Sequence, residues 1–225
     1  QFEGDLPRMV RTPWLEHEIP LMEAAEIGTR KVIAEHSTIG IVVTTDESIT
    51  DIPREDYIEP EGRVISELQE LGKPFLVLVN SAYPDSPRAL AVADEIREKY
   101  DVTCMTANCL TIEEEDVENI IRGVLLEFPV RELGLFLPAW VEALDESHPI
   151  KKELYEAMLQ GAKGMRRVRD VGSAVEAMRA CDTIRGVRVS GIYMGAGIAV
   201  ASVELPRELF YRTLAEQSGF TVTDD

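Results

Sequence analysis

The chain is poor in the residues that build most metal and redox centres, with three cysteines and three histidines in 225 residues. Cys104, Cys109 and Cys181 leave at least one thiol unpaired within the chain, and none has a metal-ligand spacing. All three are expected to be reduced core thiols of a cytoplasmic protein. His17, His36 and His148 lie far apart, with no cysteine or carboxylate at ligand spacing, which argues against zinc or histidine chemistry. No apolar run approaches the roughly 18 residues that span a bilayer. The opening residues QFEGDLPRM lack the basic-then-apolar order of a signal peptide. Positive charge is scarce: 23 Lys and Arg face 41 Asp and Glu, a net of −18, which disfavours bare nucleic acid and anionic membrane surfaces as partners. No Gly-x-x-x-x-Gly-Lys-Ser/Thr occurs anywhere.

What is present is a globular composition, 45% hydrophobic and 28% charged, long enough for a sizeable core. The charge is uneven. Residues 1–129 hold 11 basic and 27 acidic side chains, a net of −16, whereas residues 130–225 hold 12 and 14, a net of −2. That step predicts two domains, 1–129 and 130–225.

The first half alternates helical and strand patterns. After Pro20, Leu21, Ala24, Ala25 and Val32 recur at helical spacing, with Glu26 and Arg30 an i,i+4 pair. Residues 38–43 (TIGIVV) read as a strand covered by helices on both faces. A helix is expected after Pro60, with Val64, Leu68 and Leu71 on one face and Gly72 as its stop. A strand at residues 75–79, a Ser86-Pro87 helix start and a third strand at residues 102–107 follow. Thr111 and Glu114 form a capping box for a helix striped by Val117, Ile120, Ile121, Val124, Leu125 and Phe128. The acidic run at residues 113–116 suits the positive end of that helix. Such alternation predicts a doubly wound parallel sheet. Three strands make a thin sheet, and the chain is expected to begin part-way through a domain.

The second half predicts a small α+β domain. Leu133, Leu135 and Leu137 alternate as a strand, and an amphipathic helix from Ser147, carrying Leu154, Met158 and Met165, breaks at Gly172. Residues 187–190 and 198–205 form a hairpin across Met194-Gly195-Ala196-Gly197, before a short helix from Pro206. Gly195-x-Gly197 precedes a strand, not a helix N-terminus, and is not read as a phosphate loop. Lys163, Arg166, Arg167 and Arg169 are the strong basic concentration of the chain. They read as a solvated helical face, or as a self-assembly contact for the acidic half of a neighbouring subunit.

The strings PRMVRTPW (7–14), AAEIGTRKVI (24–33), HSTIGIVVTTD (36–46) and GKPF (72–75) resemble the stage IV sporulation protein A family, coat morphogenetic ATPases of endospore-forming bacteria. The resemblance is dense to about Ser81 and looser beyond. It implies a P-loop GTPase-like fold that hydrolyses ATP with Mg²⁺ and polymerises around the forespore, in the mother-cell cytoplasm, as the basement layer for other spore coat proteins. It implies a small amphipathic membrane-anchoring peptide as a partner through a C-terminal region beyond Asp225, and a phosphate loop, sensor threonine and Mg²⁺-associated aspartate upstream of Gln1. These 225 residues are then the distal part of the ATPase domain plus a middle domain, inactive alone. The strand at residues 39–43 would normally pair with the missing phosphate-loop strand.

The strand at residues 75–79 ends in Asn80, where GTPases of this fold place Asn-Lys-x-Asp. Ser81, Ala82 and Tyr83 follow instead, so the guanine-reading aspartate is replaced by Tyr83, and Asp85 comes two residues late. Spacing alone reads Asn80-Ser81 as a strand end entering a Pro-containing turn; the resemblance favours a nucleotide loop in which Asn80 braces and Tyr83 stacks on a base. Thr44, Thr45 and Asp46 end the preceding strand and either order a nucleotide loop or cap a turn, and Asn108 ends the third strand in the place of a second base-contacting loop. A guanine-nucleotide switch and a scaffold without nucleotide chemistry are the alternatives.

Overall fold

The computed structural model describes residues 8–220. Their contacts divide into two units, the first ending at Val124 and the second beginning at Leu125, each with its own core.

The first unit opens with Met9–Val10 (β1) paired antiparallel to Ile19–Pro20 (β2). Leu21–Lys31 (α1) follows Pro20 directly and runs into a π-helical turn, Val32–His36, which helical spacing does not anticipate. Glu26, expected to pair with Arg30, meets Arg63 at 3.5 Å. Gly40–Thr45 (β3), Glu55–Glu70 (α2), Phe75–Asn80 (β4), Pro87–Tyr100 (α3), Cys104–Ala107 (β5) and Glu114–Leu126 (α4) then alternate. The strands form a parallel sheet in the order β3-β4-β5. The domain is therefore mixed α/β with a parallel sheet.

On one face Val42, Val77, Val79 and Cys104 pack under α2 and α3, against Ile65, Leu68, Val92 and Ile96. Each such aliphatic side chain contributes about 1.5–3 kcal/mol by leaving water. On the other face Gly123 brings α4 close to β4 and β5: a Cβ there would lie 3.1 Å from Leu76 Cδ2 and 3.0 Å from Met105 Sδ. That helix does not reach β3, whose Ile41 and Val43 are 46% and 58% exposed. The expectation of a strand covered on both faces is corrected accordingly: β3 is apolar on both faces but packed on one.

Two helix starts differ from expectation. α2 begins at Glu55, ahead of Pro60, which lies inside the helix. The turn at α4 is closed by Asp116 Oδ2, accepting the Glu113 amide at 3.0 Å, two residues along from the predicted Thr111–Glu114 box. Ser86 caps α3 as its spacing predicts, with Oγ accepting the Ala89 amide at 3.2 Å, and Gly72 takes φ 63° just past α2.

The second unit contains Glu132–Phe136 (β6), Ala139–Glu142 (α5), Pro149–Ala162 (α6), Asp170–Arg179 (α7), Gly186–Tyr193 (β7), Ile198–Glu204 (β8) and Arg207–Ser218 (α8). The sheet order is β6-β8-β7, with β7 antiparallel and β6 parallel to the central strand. Leu154, Met158, Val175 and Met178 of α6 and α7 pack with Val187, Ala201 and Val203. The break expected at Gly172 falls between α6 and α7, near Gly164 (φ 87°), and Gly172 is helical. Among the described residues no helix is long and apolar enough to cross a membrane.

Candidate functional site

The register of the parallel sheet aligns Thr45 with Asn80 and Asn80 with Ala107. The next residues, Asp46, Ser81 and Asn108, therefore stand in a row at the carboxyl ends of the strands, where open α/β sheets hold ligands.

Asp46 is 1% exposed and Ser81 is fully buried. One Asp46 oxygen accepts the Ser48 amide at 3.1 Å and the Ser48 hydroxyl at 2.5 Å, while the other accepts the Ser81 hydroxyl at 2.7 Å. Burial pushes the Asp46 carboxyl up, but these donors outweigh it and hold its pKa below the ordinary value. Ser48 Oγ also accepts the Ala82 amide at 2.8 Å. The β3 and β4 ends are thus locked together through one carboxylate and two hydroxyls. Glu47, inside this loop, takes φ 80°, and its carboxylate pairs with Arg88.

Asn80 and Asn108 tie in the third loop. Asn80 Oδ1 accepts the Cys109 amide at 2.9 Å, and Asn108 Nδ2 donates to the Ala82 carbonyl at 3.4 Å. Asn108 Oδ1 accepts the Leu110 amide at 3.0 Å, and Ser81 Oγ accepts the Tyr83 amide at 3.0 Å. Asn80 thereby joins the end of β4 to the loop after β5. Tyr83 is 72% exposed.

Thr44 and Thr45 are buried, so they act through the loop and not on its surface. Thr45 Oγ1 accepts the Glu47 amide at 3.1 Å. Thr44 Oγ1 accepts from Arg54, whose guanidinium also clamps Glu61 through two bonds of 2.7 and 2.9 Å. Both charged side chains are nearly sealed, at 11% and 4% exposure. Sequence reasoning missed Ser48, Arg54 and Glu61. The Asp46-x-Ser48 turn spacing signals the first. The seven-residue spacing of Arg54 and Glu61 signals nothing while the helix is placed after Pro60.

The cysteines correct one expectation. Cys104 is buried and its thiol is pushed up to about 12 by burial, but Cys109 is exposed on the loop after β5, because its amide faces Asn80 and its side chain turns to water.

In the second unit the basic cluster divides. Lys163 and Arg166 are exposed. Arg167 and Arg169 turn to Glu127, at 3.1 and 3.4 Å, and Glu127 is 4% exposed. The Arg166 and Arg167 amides donate to Asp170 Oδ2, and backbone bonds from Val130, Val168 and Arg169 staple the 126–130 segment to this turn.

The family model described as stage IV sporulation protein A, ATPase domain, matches residues 1–129, and that for the middle domain matches residues 130–225. The chain belongs to the stage IV sporulation protein A family. Curated relatives of that name from Bacillus anthracis and Bacillus subtilis (strain 168) are each 43% identical over 216 residues, covering 96% of this chain and 44% of theirs. The relative from Clostridioides difficile (strain 630) is 39% identical over 223 residues, covering 99% of this chain and 45% of its own. The chain thus spans less than half the length of the curated relatives it matches. No solved structure matches it significantly.

An ATPase-type domain of a sporulation family implies a nucleotide and Mg²⁺ in the longer protein. The described strand ends do not fit the phosphates or the metal. Asp46 is fully engaged by hydroxyls and an amide, and the nearby cations Arg54 and Arg88 are each paired to a carboxylate.

Proposed function

We propose that residues 1–129 form the base-side part of a GTPase-like nucleotide domain that takes ATP, and that residues 130–225 supply self-assembly surfaces. The observation that carries this reading is the locked row Asp46, Ser81 and Asn108, with Tyr83 where a guanine-reading aspartate would stand. An aspartate there accepts hydrogen bonds from guanine N1–H and its exocyclic amine. Adenine offers no such pair, so the exchange for Tyr83 removes selection for guanine.

In the longer protein, hydrolysis with Mg²⁺ drives polymerisation into a cytoplasmic basement layer at the forespore surface. Other spore coat proteins assemble on that layer, and a small amphipathic membrane peptide anchors it. The phosphate-loop strand of the longer protein lies beside β3, an edge strand of its three-stranded sheet.

The test is turnover of ATP and GTP by these 225 residues and by the protein extended to its natural start. The expected outcome is phosphate release by the extended protein alone, with ATP preferred, because the 225 residues hold no phosphate-loop motif. Turnover by the short chain, or a preference for GTP, overturns the reading.

A second reading, a scaffold that keeps the fold without nucleotide chemistry, is favoured by one observation: the side chains of Asp46, Ser81, Asn80 and Asn108 all hydrogen-bond within the loops. It is adopted if the extended protein hydrolyses neither nucleotide.

A further inference from the structure

Helix α6 turns one stripe of mixed chemistry to water. Lys152, Tyr155, Leu159 and the C-cap residue Lys163 follow one another at steps of three and four, which is a single helix face, and all four are exposed. Leu159 reaches 73% exposure. Beside it α6 and β6 enclose a groove of about 370 Å³, walled by Leu133, Leu135, Leu137 and Met158. The face is therefore basic at both ends and apolar, with a cleft, in the middle. A second copy of the same face does not fit it. Antiparallel pairing would set Lys163 against Lys152, and like charges across a contact repel. The occupant has to carry acid where α6 carries base.

Helix α4 has that complement. Glu113, Val117 and Ile121 advance by steps of four, as Lys163, Leu159 and Tyr155 do in the reverse direction. All three are exposed, Ile121 at 51%, and Glu114 and Glu115 add to the acid at the start of the helix. We infer that α4 of one copy of this chain lies antiparallel on α6 of the next, an assignment that rests on the self-assembly reading above. In that register Glu113 meets Lys163, Val117 meets Leu159 and Ile121 meets Tyr155, and the branched side chains of α4 enter the groove beside Leu159. The antiparallel alignment also sets the positive start of α4 beside the negative end of α6. The two faces differ, so a copy that uses one leaves the other open for a third, and the contact extends without closing.

The test mixes two variants of the 225-residue chain, Ile121→Asp in α4 and Leu159→Asp in α6, and follows their mass by sedimentation velocity. The unmodified chain is expected to form a concentration-dependent series of oligomers. Each variant alone should need about ten times the concentration to associate. Their mixture should give dimers that grow no further, because one intact α4 face and one intact α6 face remain between them. Both side chains are exposed, so the fold is retained, and unchanged unfolding temperatures check this. Lys163→Glu should weaken association, and Glu113→Lys added to it should restore it. If the unmodified chain associates and the variants do so equally well, or if their mixture stays monomeric, the α4–α6 contact is overturned and another surface carries the self-assembly. If the unmodified chain stays monomeric, the self-assembly reading of residues 130–225 falls with it.

Discussion

A buried ion pair is a severe test of whether a residue matters, because each charge has left water and depends on its partner. Arg54 and Glu61 meet through two bonds at 11% and 4% exposure, and Arg54 also holds Thr44. Removing one charge strands the other, which costs about 3–5 kcal/mol; replacing both with apolar groups of similar size is far milder. Arg54→Met is therefore expected to lower unfolding stability by about 3 kcal/mol, and Arg54→Met with Glu61→Leu to recover most of it. Urea denaturation of the three proteins measures this, and equal loss in the single and double variants refutes it. At this scale the sequence is legible where a motif is local. The Asp46-x-Ser48 and Ser86-Pro87 turns use hydrogen bonds between close neighbours. The Asp46–Ser81 lock spans 35 positions, and only the strand register brings the two together.

Elements follow the same rule. The three parallel strands and the hairpin of β7 and β8 have apolar patterns strong enough to be placed from sequence, as does α8 after Pro206. The start of α2 and the join between α6 and α7 are not, because each depends on contacts outside the segment. The α6–α7 pair shows why glycine position cannot be read without packing. A Cβ on Gly161 would lie 2.4 Å from Met178 Cγ and 2.9 Å from the Ala174 carbonyl, so the two helices meet at that bare backbone. One on Gly172, inside α7, would meet nothing within 4 Å. Gly161→Ala is expected to cost about 1–3 kcal/mol through overpacking. Gly172→Ala should add about 0.5–1 kcal/mol by removing helical glycine entropy. Thermal or chemical unfolding of both variants separates them by sign, and a shared sign would contradict the packing.

Over the whole molecule the dominant physical fact is the uneven charge, −16 over residues 1–129 against −2 over residues 130–225. The sequence shows this asymmetry directly, yet it does not show which basic groups are free to act on it. Arg167 and Arg169 meet Glu127 and help hold the 126–130 segment, so reversing them damages the second unit itself. Lys163 and Arg166 are exposed, so under the proposed self-assembly they are the members of the cluster left to meet the acidic half of another copy. Head-to-tail contacts of that kind extend without closing, the geometry that a self-assembling layer requires. In the full-length protein, Lys163→Glu with Arg166→Glu should therefore weaken assembly, measured by sedimentation, while the unfolding temperature stays unchanged. The residual assembly of this variant should also be less sensitive to salt, because screening would no longer act on that contact. Arg167→Glu should instead lower the unfolding temperature first. Undiminished assembly of the Lys163/Arg166 double variant would remove this patch from the polymer contact and leave the acidic half to be met by another surface.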